Sequence, residues 1–159
     1  MTVSLIVSGG QSGADLGGLK AGKLLGIPTG GYMPKGWITE AGSKPEYAEE
    51  YGMTEWDTHD YLGRTKQNAR LGDVTVIFGR RSPGSNRTEE FCRQLSKQCM
   101  WINFGSNPTN YRKANINAFK IWIARNKVET LNVAGNRESV NPGICKYVCE
   151  FLLEALIKQ

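Results

Sequence analysis

Histidine is all but missing from this chain of 159 residues: His59 is the only one. A Ser-His-Asp triad would have to be built on that single imidazole. His59 stands in an acid-rich segment and not after an apolar run, so a triad hydrolase is set aside. The four cysteines, Cys92, Cys99, Cys145 and Cys149, form no C-x-x-C pair and lie in or beside helical patterns. With no cluster at metal-ligand spacing, neither a structural metal nor a redox motif is expected. Reduced thiols fit a cytoplasmic protein. No apolar run approaches the roughly 18 residues of a membrane span. Met1 to Ser8 is too short for a signal peptide and lacks its basic start. Two nucleotide signatures are also absent from the glycine-rich start: its glycines at 9, 10 and 13 match neither G-x-G-x-x-G nor G-x-x-x-x-G-K-[ST].

Acid is scarce outside one stretch. Residues 40–60 hold seven acids against Lys44, so the rest of the chain, with 19 bases and 8 acids, carries +11, and the two together give the net +5. A basic body favours anionic ligands. The acidic segment would repel a nucleic acid, and no base-reading element is visible. Hydrophobic content of 40% in 159 residues predicts one domain, 1–159, with a real core.

What is present begins at Ser8-Gly9-Gly10-Gln11-Ser12-Gly13-Ala14-Asp15. An apolar run precedes it and a helical pattern follows. Strand, glycine turn and helix N-terminus make an anion cradle, because the first helical N–H groups lack intrahelical partners and sit at the positive end of the dipole. The plain alternative is a tight turn with no ligand.

Five apolar runs alternate with five helical patterns. Strands are expected at Leu5–Ser8, Ile27–Tyr32, Val74–Phe78, Trp101–Phe104 and Thr130–Ala134. Helices are expected at Ala14–Leu25, Tyr61–Leu71, Glu89–Gln98, Asn110–Lys127 and Ile144–Leu156. This alternation predicts an α/β, Rossmann-like three-layer fold with a central, mainly parallel sheet of five or more strands. The strands are apolar throughout, as in sheets covered on both faces. The segment 33–60 reads as a long irregular loop, either a lid or a surface excursion with a short helix near Glu46–Tyr51.

In a parallel sheet the loops after the strands share one end, where ligands bind. Besides Gly9–Asp15, those loops carry Lys35, then Ser82-Pro83-Gly84-Ser85-Asn86 with Thr88, then Asn136-Arg137-Glu138-Ser139. The expected ligand-holding set is Gly9, Gly10, Gln11, Ser12, Gly13, Asp15, Lys35, Ser82, Gly84, Ser85, Asn86, Thr88, Asn136, Arg137, Glu138 and Ser139. Asn86 and Glu89 have capping-box spacing. The fork of Arg137 suits phosphate or a metal-oxo anion, or else a salt bridge to Glu138 or Asp15. Asp15 would repel phosphate, so a helix cap or an acceptor for ring N–H groups is expected of it. Lys35, where an NAD site would place an acid, disfavours NAD. Cys145 opens the last helix, where the dipole would lower a thiol pKa; a small buried residue is the plain alternative. The apolar Ile116, Phe119, Ile121, Trp122 and Ile123 spread over more than one stripe of their helix, which predicts a homo-oligomer.

Together, Ser8–Asp15, Gly26–Gly31, Pro34-Lys35-Gly36, Arg64-Thr65 with Asn68, and Leu131–Ser139 followed by Pro142-Gly143-Ile144 resemble the molybdenum-cofactor carrier proteins, within the lysine-decarboxylase-like Rossmannoid superfamily. The resemblance implies a Rossmann-like homotetramer. Its implied function is to bind, protect and deliver the molybdenum cofactor (a pterin-dithiolene molybdenum with a terminal phosphate) to apo-molybdenum enzymes, without catalysis. Molybdate or another oxyanion is a further candidate ligand. The alternatives are a phosphoribohydrolase of the same superfamily, whose P-G-G-x-G-T-x-x-E motif is similar to Pro83–Glu90 and would make Glu90 the acid, or a sensor of a nucleotide ligand.

Overall fold

Runs of β-branched and aliphatic residues form the strands, and glycine turns hand each to a helix. The computed structural model describes residues 3–103 and 108–158, with side chains at all of these except 108–111. In chain order the elements are β1 (Leu5–Val7), α1 (Ala14–Leu25), β2 (Thr29–Gly30), β3 (Tyr32–Met33), β4 (Ile38–Thr39), β5 (Gly42–Ser43), α2 (Tyr47–Tyr51), β6 (Thr54–Glu55), α3 (Tyr61–Leu71), β7 (Val74–Phe78), α4 (Pro83–Gln94), β8 (Cys99–Ile102), α5 (Pro108–Arg125), β9 (Thr130–Gly135) and α6 (Ile144–Leu156).

The central sheet runs β2-β1-β9-β7-β8, and every pair in it is parallel. The last strand in sequence therefore lies in the middle. If β9 and α6 are moved to the front of the chain, the same order reads 3-2-1-4-5, that of a doubly wound nucleotide-binding sheet. The chain is thus a permuted version of that topology. Its switch point, where strand order reverses, falls between β9 and β7. The α/β layered expectation holds. Helices α1, α5 and α6 pack together on one side of the sheet, and α3 packs with α4.

The core lies mainly under α5 and α6. Phe151 meets Phe78 and Phe119 edge to face, at 5.2 and 5.6 Å between ring centres. Ile6, Val76, Leu131 and Val133 fill the sheet side of the same cluster. Close approach of α1 depends on its glycines: a Cβ on Gly17 would stand 2.6 Å from the Cys145 carbonyl, and one on Gly18 would stand 2.8 Å from Val133.

Several boundaries differ from expectation. Helix α4 begins at Pro83, six positions before Glu89, because Ser82 and Ser85 form the capping box and Pro83 sits where no N–H is needed. Asn86 and Glu89 lie inside the helix and do not cap it. The helix ends at Gln94, where Ser96 turns left-handed, and this lets β8 start at Cys99. The expected end of that strand, Phe104, falls outside the described residues. The second strand stops at Gly30 because Gly31 adopts φ 118, which only glycine enters easily, and the chain re-forms as β3.

The segment 33–60 is folded. It holds the β3–β6 ribbon, the β4–β5 hairpin and α2. Leu19 of α1 packs with Met33, Tyr51 and Met53 in a second small core. The short helix expected near Glu46–Tyr51 is α2, Tyr47–Tyr51.

Candidate functional site

The carboxyl ends of β1, β7 and β9 open onto a cavity of about 340 Å³, next to the switch point. Its walls are the glycine loop, one face of α3, the first turn of α4, and β9 with the residues that follow it.

The glycine loop is closed on itself. The Gly10 N–H donates to Ser8 Oγ at 3.2 Å, and the Gln11 N–H donates to Asp15 Oδ2 at 3.2 Å. The Ser12 N–H donates to Gln11 Oε1 at 3.0 Å, and the Ala14 N–H donates to the Asn136 carbonyl at 3.0 Å. Donors expected to cradle an external anion are therefore largely satisfied from inside, in part by the carboxylate of Asp15. Asp15 makes no helix-cap bond and instead braces the loop. Burial pushes its carboxyl up to about 6, against the pull of Arg64 and of the Gln11 N–H.

Arg64 is the main residue the expected set omitted. It is only 8% exposed, lies 3.6 Å from Asp15 Oδ2, and faces the cavity. Burial pulls its guanidinium below its ordinary pKa, while Asp15 opposes this. Its Nε has no hydrogen-bond partner. The Nε2 of Gln11, 5% exposed, has none either. The Gln11 amide is fixed in orientation, because its Oε1 accepts from both the Ser12 and the Glu40 N–H groups. Two residues of the cavity wall thus hold buried donors without acceptors, an arrangement that costs free energy unless a ligand or water satisfies it.

Arg64 and Arg137 each hold a guanidinium 5.2 Å from the Tyr61 ring centre. Arg137 is exposed and makes neither of the expected salt bridges to Glu138 or Asp15. Thr65 and Asn68 complete the α3 wall. Asn68 also clamps β3, donating to the Tyr32 carbonyl at 3.0 Å and accepting from the Tyr32 N–H at 2.8 Å. The residues at 61, 64, 65 and 68 carry polar groups at helical spacing on the inward face of α3. That stripe was visible in the sequence as polarity where an amphipathic helix should be apolar.

The α4 end is different. Ser82 and Ser85 are engaged in the capping box, and Thr88 donates to the Gly84 carbonyl at 3.3 Å. The Gly84 N–H belongs to the first turn, where helices leave donors unpaired. A Cβ at Gly84 would meet nothing within 4 Å, and no acid stands in this first turn. It is an open, positively polarised helix end facing the cavity.

Other expected residues act as braces. The Asn136 amide exchanges two bonds with Arg80, both at 2.9 Å, while lining the cavity. Glu138 accepts from the Gly143 N–H at 2.6 Å and the Cys145 N–H at 3.0 Å, which caps α6. Ser12 and Ser139 hold the carboxylate of Glu40, which reaches back from the hairpin side. Burial works against that carboxylate, but the bonds from Ser12 and Ser139 keep it below its ordinary pKa. Gly10, Gly13, Lys35 and Asn86 are not among the lining residues; Lys35 and Asn86 are exposed. Burial raises the Cys145 thiol above its ordinary pKa. Glu90 is exposed, pairs with Arg93 and does not line the cavity. Set residue for residue from Pro83, the hydrolase motif also places Phe91, not Glu90, at its glutamate.

The chain matches the model of the circularly permutated YpsA SLOG family over residues 6–156. Among solved structures it is similar to a "putative molybdenum carrier protein" from Syntrophus aciditrophicus SB. Identity is 33% and the TM-score is 0.88, over 99% of this chain and 96% of that one. No curated protein matches.

Proposed function

On the premise that this chain belongs to the circularly permutated YpsA SLOG family, we propose that it is a carrier that binds, protects and delivers the molybdenum cofactor. The observation that carries the reading is the cavity. It joins two buried, acceptor-seeking donors, two guanidiniums and an open helix N-terminus, a set suited to a polar heterocycle bearing anionic groups. The molybdenum-carrier name of the structural neighbour supports the same cargo.

Gln11, Arg64 and Asp15 would hold one end of the cofactor, and the first turn of α4 the other. Arg137, exposed at the rim, would add charge toward an oxo or phosphate oxygen. When bound, the cofactor itself supplies the redox metal. The chain's own residues bind, orient and shield it. No residue of the segment 33–60 lines the cavity, and Tyr61 supplies its aromatic ring. The hydrolase alternative is not favoured, because Asp15 is the acid that lines the cavity and Glu90 is turned away from it. The recipients would be apo-molybdenum enzymes, the location cytoplasmic, and the assembly a homotetramer.

The test is to mix purified protein anaerobically with free molybdenum cofactor, separate by gel filtration and assay the protein peak. Molybdenum and pterin together at one per chain, with slower oxidation in air than the free cofactor, is the expected result. A peak lacking both overturns the carrier reading.

A further inference from the structure

The cavity has two chemically unlike ends, and this bears on what it reads. At one end stands Asp15. A carboxylate offers about four lone-pair sites. Asp15 gives one to the Gln11 N–H and one to the Gly9 N–H and has the Arg64 guanidinium 3.6 Å from its Oδ2, which leaves acceptor capacity at the cavity. Beside it are the two unpartnered donors, Gln11 Nε2 and Arg64 Nε. Asp15 would repel a phosphate there, and the Ala14, Leu16 and Gly17 N–H groups of α1 are already paired. The other end is the first turn of α4, with open space at Gly84 and no acid.

Resting on the carrier reading, we infer that the Gln11–Asp15–Arg64 end recognises a 2-amino-4-oxo pyrimidine edge, while the α4 end holds the phosphate of the same ligand. Guanines and oxidised pterins share this edge. It presents an amino group and a ring N–H, both donors, then a carbonyl and a ring nitrogen, both acceptors. Asp15 complements the two donors. Gln11 Nε2 and Arg64 Nε complement the two acceptors. Adenine lacks the ring N–H beside its amino group, and hypoxanthine lacks the 2-amino group. A site built from buried polar groups rejects an analogue that leaves one unpaired.

The experiment titrates the protein with an oxidised, air-stable pterin carrying a side-chain phosphate, with its dephosphorylated form, and with GMP, IMP and AMP. Two variants separate the ends. Gln11→Glu keeps the oxygen that accepts from Ser12 and Glu40 but replaces the donor with an acceptor. Gly84→Asp places an acid at a helix N-terminus with room for it, which favours folding while repelling phosphate. A thermal melt checks each fold.

The inference expects GMP to bind about tenfold or more tighter than IMP or AMP. It expects Gln11→Glu to weaken both pterins by a similar factor, and Gly84→Asp to weaken only the phosphorylated one. Equal affinity for the three nucleotides overturns it. So does a Gln11→Glu loss that vanishes with the phosphate, or no binding of any probe by folded protein. GMP discrimination without uptake of free molybdenum cofactor overturns the carrier reading and leaves the edge assignment standing, with a guanine nucleotide as its source. Cofactor uptake with the variant effects reversed overturns the edge assignment alone.

Discussion

Gly9 has no room for a side chain. A Cβ there would stand 1.5 Å from Arg64 Nη1, so the guanidinium lies against bare backbone. The glycine was expected to help hold a ligand; it admits an arginine that faces the cavity. Gly9→Ala should therefore cost about 1–3 kcal/mol through overpacking. Most of the cost should disappear in an Arg64→Ala background, which leaves only the approach to Asp15 Oδ2 at 2.9 Å. Urea denaturation of the two singles and the double measures this. An unchanged cost in that background would show the clash lies elsewhere. Asp15 gives a second residue-scale expectation. Its folded pKa, raised to about 6 by burial, exceeds the ordinary value of 3.8, so the native state takes up the proton first. Its ionisation destabilises the fold, and stability from this group falls as pH rises through the window from about 4 to 6. Wild type minus Asp15→Asn in melting temperature should show that slope. Binding of the dephosphorylated pterin, whose donors need the Asp15 carboxylate, should weaken as pH drops through about 6 and lose that dependence in the variant. A flat difference across the window would contradict this.

Helix α3 shows how far the sequence carries at the scale of elements. Its bounds, Tyr61–Leu71, were legible from periodicity, and so were α1 and α6. Its role was not, because the search followed the loops after strands, while α3 supplies Arg64 from a helix face across the cavity. The start of α4 was missed for a local reason: Asn86 and Glu89 offered one capping pair, but Ser82-Pro83 and Ser85 offered a better one four residues earlier. Nor could the sequence show that Glu40 crosses to Ser12 and Ser139, since contacts at separations of 28 and 99 residues depend on the assembled sheet. That contact ties the β4–β5 hairpin to both loops of the site. Glu40→Ala should free it, raising amide hydrogen exchange across residues 36–44 and 137–141 by about fivefold, which corresponds to roughly 1 kcal/mol of local stability. Exchange unchanged in both segments would mean the hairpin is held by its apolar contacts alone.

At the scale of the molecule, the layered α/β fold was readable from alternation, but the strand order was not. Nothing in the spacing of Thr130–Gly135 says that it enters the centre of the sheet. That placement sets β9 beside β7 and β1, and so brings the last loop, the glycine loop and α4 around one cavity. The oligomer expectation rested on apolar residues of α5, and packing alters that argument. Ile116, Phe119 and Ile123 lie in the core, and Ile121, 53% exposed, is what that helix leaves outside. The homotetramer stands as a proposal from the resemblance alone. Light scattering of the purified protein should give a mass near four times 17.6 kDa; a mass near 17.6 kDa would contradict it.

The central claim is that this cavity holds the molybdenum cofactor. The most direct measurement is molybdenum and pterin content per chain after anaerobic loading and gel filtration, for wild type and Gly84→Asp side by side. The account predicts one of each per wild-type chain and a large loss in a variant that melts no lower. Equal loading of the two would place the cofactor elsewhere, and empty wild type would remove it from this protein.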